Sequence, residues 1–171
     1  GDTHGEFDKI EEFYEHNFTT VEDVIIILGD AGINYYLSHE ERPSNISTYE
    51  EKEWYGGAVY YEENYPNFLF AIDGEIYDFD GKKAIAIGGA YSLDKYDRMH
   101  NGTWFEYEQP DEAIKMQVEQ ALERHNWRVD FVFSHAAPLK FEPTDMFLTG
   151  IDQSNIDKET EIWLDTIEGK L

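Results

Sequence analysis

The spacing of apolar side chains along the chain predicts several helices. The period of an amphipathic helix recurs in three segments, residues 6–16, 110–125 and 157–167. The second segment opens with Pro110 and Asp111, residue types that are typical of a helix start. Residues 50–54 are interpreted as a further, short helix.

Short apolar runs between these segments predict the strands. The β-branched run at residues 24–28 is interpreted as a buried parallel strand, and residues 129–133 as a second buried strand. Further strands are expected at residues 58–61, 68–72, 75–79 and 84–87. Asp73-Gly74 is interpreted as a turn, and residues 78–81 as a hairpin turn. The alternation predicts an α/β fold with a largely parallel core sheet.

Length and composition favour one folded domain over residues 1–171. A hydrophobic content of 41% and an aromatic content of 16% argue against disorder. The chain has no cysteine, which excludes disulfides, thiolate metal ligands and a cysteine nucleophile. This composition fits a reducing compartment, so we expect a cytoplasmic protein. Because no apolar run approaches membrane-spanning length, no membrane partner is expected.

The charge balance is strongly acidic, with 13 basic and 37 acidic residues and a net charge of −24. Such a chain repels nucleic acid and anionic membranes, since both are held largely by lysine and arginine. Nucleic acid is therefore not an expected partner. An anionic substrate stays possible, because bound divalent metal ions reverse the potential locally.

Acids and imidazoles follow glycine turns or apolar runs at three separate places. Asp2 and His4 lie in a glycine-flanked turn, Asp30 follows the run at residues 24–28, and His135 follows the run at residues 129–133. Mixed oxygen and nitrogen ligands suit Mn, Fe or Zn better than Ca. If these residues end neighbouring strands, they converge at the edge where open α/β sheets bind ligands. The sequence therefore predicts a metal site, in which Asp30 can bridge two divalent ions.

Each of these residues also has a structural alternative. The Asp2 and His4 segment can be a simple turn, Asp30 can cap a helix, and His135 can be a hydrogen-bonded core histidine. If all the histidines merely pack, the chain is a metal-free α/β binding module. Calorimetry with Mn²⁺ separates that interpretation from a metal site.

His39 and its neighbours extend the candidate chemistry. His39 suits a general acid beside a leaving group, and the adjacent Glu40 can orient it. Arg42 and Arg98 can each hold a phosphate, but both are interpreted as exposed arginines.

These segments together resemble a known family. Gly1-Asp2-Thr3-His4-Gly5, Gly29-Asp30, His39-Glu40 and Ser134-His135 are similar, in this order, to four of the five motif blocks of the calcineurin-like metallophosphoesterases. The resemblance implies a β-sandwich flanked by helices. It also implies two metal ions: Asp2 and His4 bind the first, Asp30 bridges both, and His135 binds the second.

The same resemblance implies a hydrolase that acts on phosphate esters. In that reading a hydroxide bridging the two metal ions attacks phosphorus, and His39 protonates the leaving oxygen. The resemblance therefore implies a phosphorylated substrate.

The sequence departs from the family pattern at two of its blocks. Leu37-Ser38 stands where the family has Gly-Asn, and the closing Gly-His-x-His block does not occur in residues 1–171. We expect missing segments before Gly1, where no strand precedes the glycine turn, near residues 37–38, where the chain is too short for a parallel crossover, and after Leu171. The alternative function is a family member that has lost catalysis and serves as a protein-binding scaffold.

Overall fold

The computed structural model of the protein describes most of the chain in two compact units. The described residues are 8–17, 20, 23–29, 50–63, 65–102, 104–146 and 156–171. The units are Gly1–Ser44 and Asn45–Leu171. The single metallophosphoesterase-like domain expected over residues 1–171 stays a prediction. Residues 37–38, where a gap is expected, lie outside the described residues.

The first unit contains helix α1 at Asp8–His16, which confirms the helix expected at residues 6–16 over its described part. The buried parallel strand expected at residues 24–28 is wrong. These residues have no regular secondary structure, and four of them are exposed: Val24, Ile25, Ile26 and Leu28. A strand needs a neighbour for its N–H and C=O groups, and the described part of this unit contains no other extended segment to supply one.

The second unit opens with an antiparallel sheet of three strands. They are β1 at Glu50–Trp54, β2 at Gly57–Glu62 and β3 at Tyr65–Ala71, in the order β1-β2-β3. The strand β2 confirms the prediction at residues 58–61, and β3 overlaps the one at residues 68–72.

The short helix expected at residues 50–54 is wrong, because this segment is β1. Exposed and half-buried positions alternate from Glu51 to Trp54, which is the period of a strand. Tyr55 and Gly56 then form a two-residue turn with φ angles of 48° and 79°. Positive φ at both positions is what tight hairpin turns require, so this turn pairs β1 with β2.

The second sheet has mixed direction. It contains β4 at Ile76–Phe79, β5 at Lys82–Ile87 and β6 at Phe131–Ser134, in the order β4-β5-β6. The β4–β5 pair is antiparallel, and its turn at Asp80-Gly81 has positive φ at both residues, which confirms the predicted hairpin turn. The β5–β6 pair is parallel.

The expectation of a largely parallel core sheet is wrong for the described residues, where β5–β6 is the one parallel pair. The apolar runs were too short to distinguish buried parallel strands from hairpins. The expected burial of residues 129–133 is also met only in part, since Phe131 is exposed at the start of β6.

Asp73 and Gly74 carry the chain from the first sheet to the second. The strands on either side pair with β2 and β5 respectively, so they do not form a hairpin with each other. The Gly74 N–H donates to the Ala86 carbonyl at 2.9 Å. A Cβ at Gly74 would lie 3.2 Å from the Val118 backbone, so this turn packs closely on a helix.

Three helices complete the described part of the second unit: α2 at Lys95–His100, α3 at Glu112–Arg124 and α4 at Glu159–Glu168. Helices α3 and α4 confirm the predictions at residues 110–125 and 157–167. Asp111 caps α3, and its carboxylate accepts from the Ile114 N–H at 2.8 Å. No helix in the described part of the chain is both long and apolar enough to cross a bilayer.

The main core lies between β5 and these last two helices. Its buried members are Ile85, Ile87, Val118, Ala121, Leu122, Trp163, Leu164 and Ile167. Ile162 of α4 lies outside this core and is exposed. The protein is therefore a mixed α/β structure in which α3 and α4 bury the central strand β5.

Tyr77 of β4 joins the two sheets. Its side chain is 2% exposed, and its hydroxyl donates to the Ala58 carbonyl at 2.9 Å. The same hydroxyl accepts from the Ile72 N–H at 3.1 Å, and burial raises the pKa of Tyr77 to about 12. The Glu75 carboxylate makes a second link between the two sheets, because it accepts a hydrogen bond from the Ala58 N–H at 2.9 Å.

We predict that Tyr77→Phe lowers the free energy of unfolding by about 1–3 kcal/mol, because it leaves the Ala58 carbonyl and the Ile72 N–H without their buried partner. Urea denaturation measures this change. Tyr107→Phe removes a hydroxyl from an exposed ring and is the matched control. Equal effects of the two substitutions would mean that the hydroxyl of Tyr77 does not hold the sheets together.

Candidate functional site

His135 is the predicted metal ligand that lies within the described residues. It follows β6 directly and is half-buried. Its backbone N–H donates to the Ile87 carbonyl at 3.3 Å, so it extends the parallel pairing of β5 and β6 by one residue. The expectation that this histidine comes at the end of a strand is confirmed.

The other predicted site residues, Asp2, His4, Asp30 and His39, lie outside the described residues, as does Glu40. Their roles as metal ligands and general acid stay predictions. Among the side chains that the structure describes, no three of the His, Asp and Glu residues are grouped closely enough to hold a metal ion.

The carboxyl ends of β5 and β6 form one edge of the second sheet, which we call the parallel edge. It consists of Gly88-Gly89 after β5 and His135-Ala136 after β6. Beside it, the Ser134 hydroxyl donates to the Ala136 carbonyl at 2.7 Å and fixes the turn that follows the strand. Ligands of open α/β sheets bind outside the carboxyl ends of the parallel strands, so this edge is the candidate site.

Asp73 lies in the turn between the two sheets, and a hydrogen bond connects it to the parallel edge. Its carboxylate accepts a short hydrogen bond from the Gly88 N–H. Burial raises the pKa of Asp73, and this hydrogen bond opposes the rise. From α3, the Gln117 amide donates to the Asp73 carbonyl at 2.8 Å. The sequence predicts only a turn at Asp73. Its hydrogen-bond partner Gly88 lies 15 residues along the chain, so the neighbouring residues do not indicate this contact.

Gly89 lets the chain leave β5 in close contact with the segment that precedes α3. Its φ angle is +84°, and a Cβ there would lie 2.7 Å from the Glu108 carbonyl oxygen and 2.9 Å from Pro110 Cδ. The next residue, Ala90, donates its N–H to the same carbonyl at 2.9 Å. The segment between β5 and α3 therefore begins at the parallel edge and contacts it again just before α3.

A half-buried ion pair organises this β5–α3 connection, residues 88–111. Arg98 donates through both terminal nitrogens to the Glu108 carboxylate, and both side chains are 18% exposed. Arg98 also donates to the Ser92 hydroxyl at 2.8 Å. The expectation that Arg98 is an exposed arginine is therefore wrong. Its partner Glu108 stands ten positions along the sequence, beyond the reach of helical spacing rules.

Lys95, which belongs to the same connection, lies against two aromatic rings. Its ammonium lies 4.7 Å from the centroid of the Trp104 ring and 5.6 Å from that of Tyr91. Such contacts stabilise a partly desolvated cation. The connection is therefore built on its charged side chains rather than on an apolar face.

At the parallel edge, the Asp73 carboxylate lies beside Gly88 and the Glu108 carbonyl lies beside Gly89, so the chain is closely packed there. The imidazole of His135 is the nitrogen ligand that the sequence places at this edge. Donors of this kind suit first-row divalent metal ions.

We predict that Gly89→Ala destabilises the protein by about 1–3 kcal/mol more than Gly81→Ala, because only the first introduces a steric overlap. The two glycines have nearly the same positive φ, but a Cβ at Gly81 meets nothing within 4 Å. Urea denaturation of both variants isolates the effect of close packing at the parallel edge. Equal losses of stability would contradict this packing.

Comparisons with known proteins were made at three levels. No protein-family model matches the chain, and no curated protein or solved structure is significantly similar to it. Assignment of a function therefore depends on the ordered sequence motifs and on the position of His135 at the parallel edge.

Proposed function

We propose that the protein is a metal-dependent phosphoesterase of the calcineurin-like kind. The observation that carries this proposal is the ordered set of motifs, the last of which ends a parallel strand. A histidine in that position supports a ligand site at the carboxyl end of the sheet. The cysteine-free composition favours the cytoplasm as its compartment.

The donor set fits divalent metal ions. Asp2, His4, Asp30 and His135 provide two carboxylates and two imidazoles, which suit Mn, Fe or Zn. When bound, such ions lower the pKa of a water molecule and neutralise charge on phosphoryl oxygens. The carboxylate of Asp30 has two oxygens and can serve both ions. A β-sandwich flanked by helices is the fold that we propose with this site.

The protein's own residues supply proton transfer and charge selection. His39 would donate a proton to the leaving alkoxide oxygen, and Glu40 would hold its imidazole in orientation. With a net charge of −24, the chain repels phosphate esters unless cations are bound. Because the chain repels anions unless cations are bound, its charge favours a phosphorylated small molecule or protein over a nucleic acid as the substrate.

We predict that Asp30→Asn lowers the Mn²⁺-dependent hydrolysis of p-nitrophenyl phosphate by more than about 100-fold, because it removes the charge that holds both ions. The release of p-nitrophenol measures the rate. Asp8→Asn makes the same charge change at an exposed residue in the first turn of α1 and is the control.

Two results would overturn parts of this proposal. Undiminished turnover in Asp30→Asn refutes the bridging role. A wild-type protein that binds Mn²⁺ without hydrolysing any phosphate ester instead supports the catalytically inactive scaffold.

A further inference from the structure

The helix α2 presents an apolar face to solvent. Leu93, Tyr96 and Met99 are spaced three residues apart and are 68%, 77% and 51% exposed. Tyr96 and Met99 lie on one side of α2, and Leu93 lies in the turn that precedes this helix. No residue of α2 is buried, so its apolar side chains take no part in the core.

Two basic side chains of the same helix, Lys95 and Arg98, are half-buried and pack against the protein. Arg98 is paired with Glu108 at 18% exposure, and Lys95 lies over the rings of Tyr91 and Trp104. Amphipathic surface helices normally bury the apolar side and expose the charged side. In α2, Lys95 and Arg98 are half-buried while Tyr96 and Met99 are exposed, and such a cluster of exposed apolar side chains marks an interaction surface.

Charge identifies the kind of partner. Within the described part of residues 88–110, the exposed acidic side chains are Asp94, Asp97 and Glu106, and the exposed basic one is His100, since Lys95 and Arg98 are half-buried. A second copy of this chain would bring the same net charge of −24 to the contact, and nucleic acid or an anionic membrane would also be repelled. A cationic partner is attracted by each of these features.

We propose that the α2 surface, formed by Leu93, Tyr96 and Met99 with Asp94 and Asp97, docks a polypeptide segment that presents apolar side chains between lysines and arginines. Tyr96 would be the central anchor, since large aromatic side chains with a polar tip carry most of the binding energy at such surfaces. The two aspartates would attract and orient the basic side chains. This docking is independent of the metal chemistry.

The test uses the full chain and a defined probe. The probe is a 14-residue amphipathic helical peptide of leucine and lysine, and its counterpart carries glutamate in place of lysine. Isothermal titration calorimetry measures affinity, and ¹⁵N chemical shifts locate the peptide. We expect the lysine peptide to shift the signals of residues 93–101 and the glutamate peptide to leave them unchanged.

One double substitution tests the apolar contact. Tyr96→Ser with Met99→Ser is expected to weaken binding of the lysine peptide by about tenfold or more. Met116→Ser with Ile162→Ser removes two other exposed apolar side chains and is expected to change binding by less than about twofold. All four positions are exposed, so the fold is retained.

A second double substitution tests the charge. Asp94→Asn with Asp97→Asn should weaken binding by about fivefold and reduce its sensitivity to salt. Glu51→Gln with Glu53→Gln makes the same change in net charge on the exposed side of β1 and should have a smaller effect. Equal effects of the two pairs would mean that only overall charge attracts the peptide, which overturns the proposal.

Other occupants give distinct results. A concentration-dependent dimer in sedimentation that Tyr96→Ser with Met99→Ser abolishes would show that a second copy covers this surface. Equal binding of both peptides, or shifts confined to other elements, would show that no basic segment docks at α2. Each of these outcomes overturns the proposed partner.

Discussion

Burial of the central strand β5 is the constraint on which the described structure of the second unit depends. Ala84, Ile85, Ala86 and Ile87 are all buried, so both faces of the strand are covered. It pairs with β4 on one side and β6 on the other, while α3 and α4 cover it. Because side chains alternate between the two faces, a slip of one residue would exchange them. The register that places Ile87 opposite Ser134 therefore also fixes Gly88 and His135 at one edge.

Polar side chains that are buried or half-buried then specify how the rest of the unit is arranged around this strand. Tyr77 and Glu75 hydrogen-bond to β2, Asp73 holds Gly88, and Glu108 holds Arg98. A buried polar group is costly unless it has a partner, so each of these bonds disfavours alternative packings. Of these residues, Asp73 and Glu108 lie beside Gly88 and Gly89 of the parallel edge. The β5–α3 connection also holds Lys95 and Arg98 half-buried and leaves Tyr96 and Met99 of α2 exposed, so the candidate docking surface belongs to the connection that begins at this edge.

Some secondary-structure elements were predictable from neighbouring residues, whereas others depend on contacts that are distant in sequence. Helix α3 has a cap and an apolar period, and the Asp80-Gly81 turn has residues that accept positive φ, so both were predictable from a few neighbouring positions. The charged strand β1 and the exposed residues 24–28 were not, since strand formation depends on a partner distant in sequence. The predictions of parallel strand direction and of an exposed Arg98, which is paired with Glu108, were wrong for the same reason. Among the candidate metal ligands, His135 was predictable as a residue that follows a strand. Whether Asp2, His4 and Asp30 converge with it depends on tertiary structure, which sequence spacing does not encode.

The most direct test of the central claim asks whether residues distant in sequence share metal ions. The imidazoles are labelled with ¹⁵N, and Mn²⁺ is added in small fractions of one equivalent while their NMR signals are recorded. Paramagnetic broadening should reach His4 and His135 at the same low Mn²⁺ ratio, spare His125 on α3, and disappear in Asp30→Asn. A His135 signal that stays sharp while Mn²⁺ binds elsewhere, or the absence of any binding below millimolar Mn²⁺, would contradict the proposed metal centre.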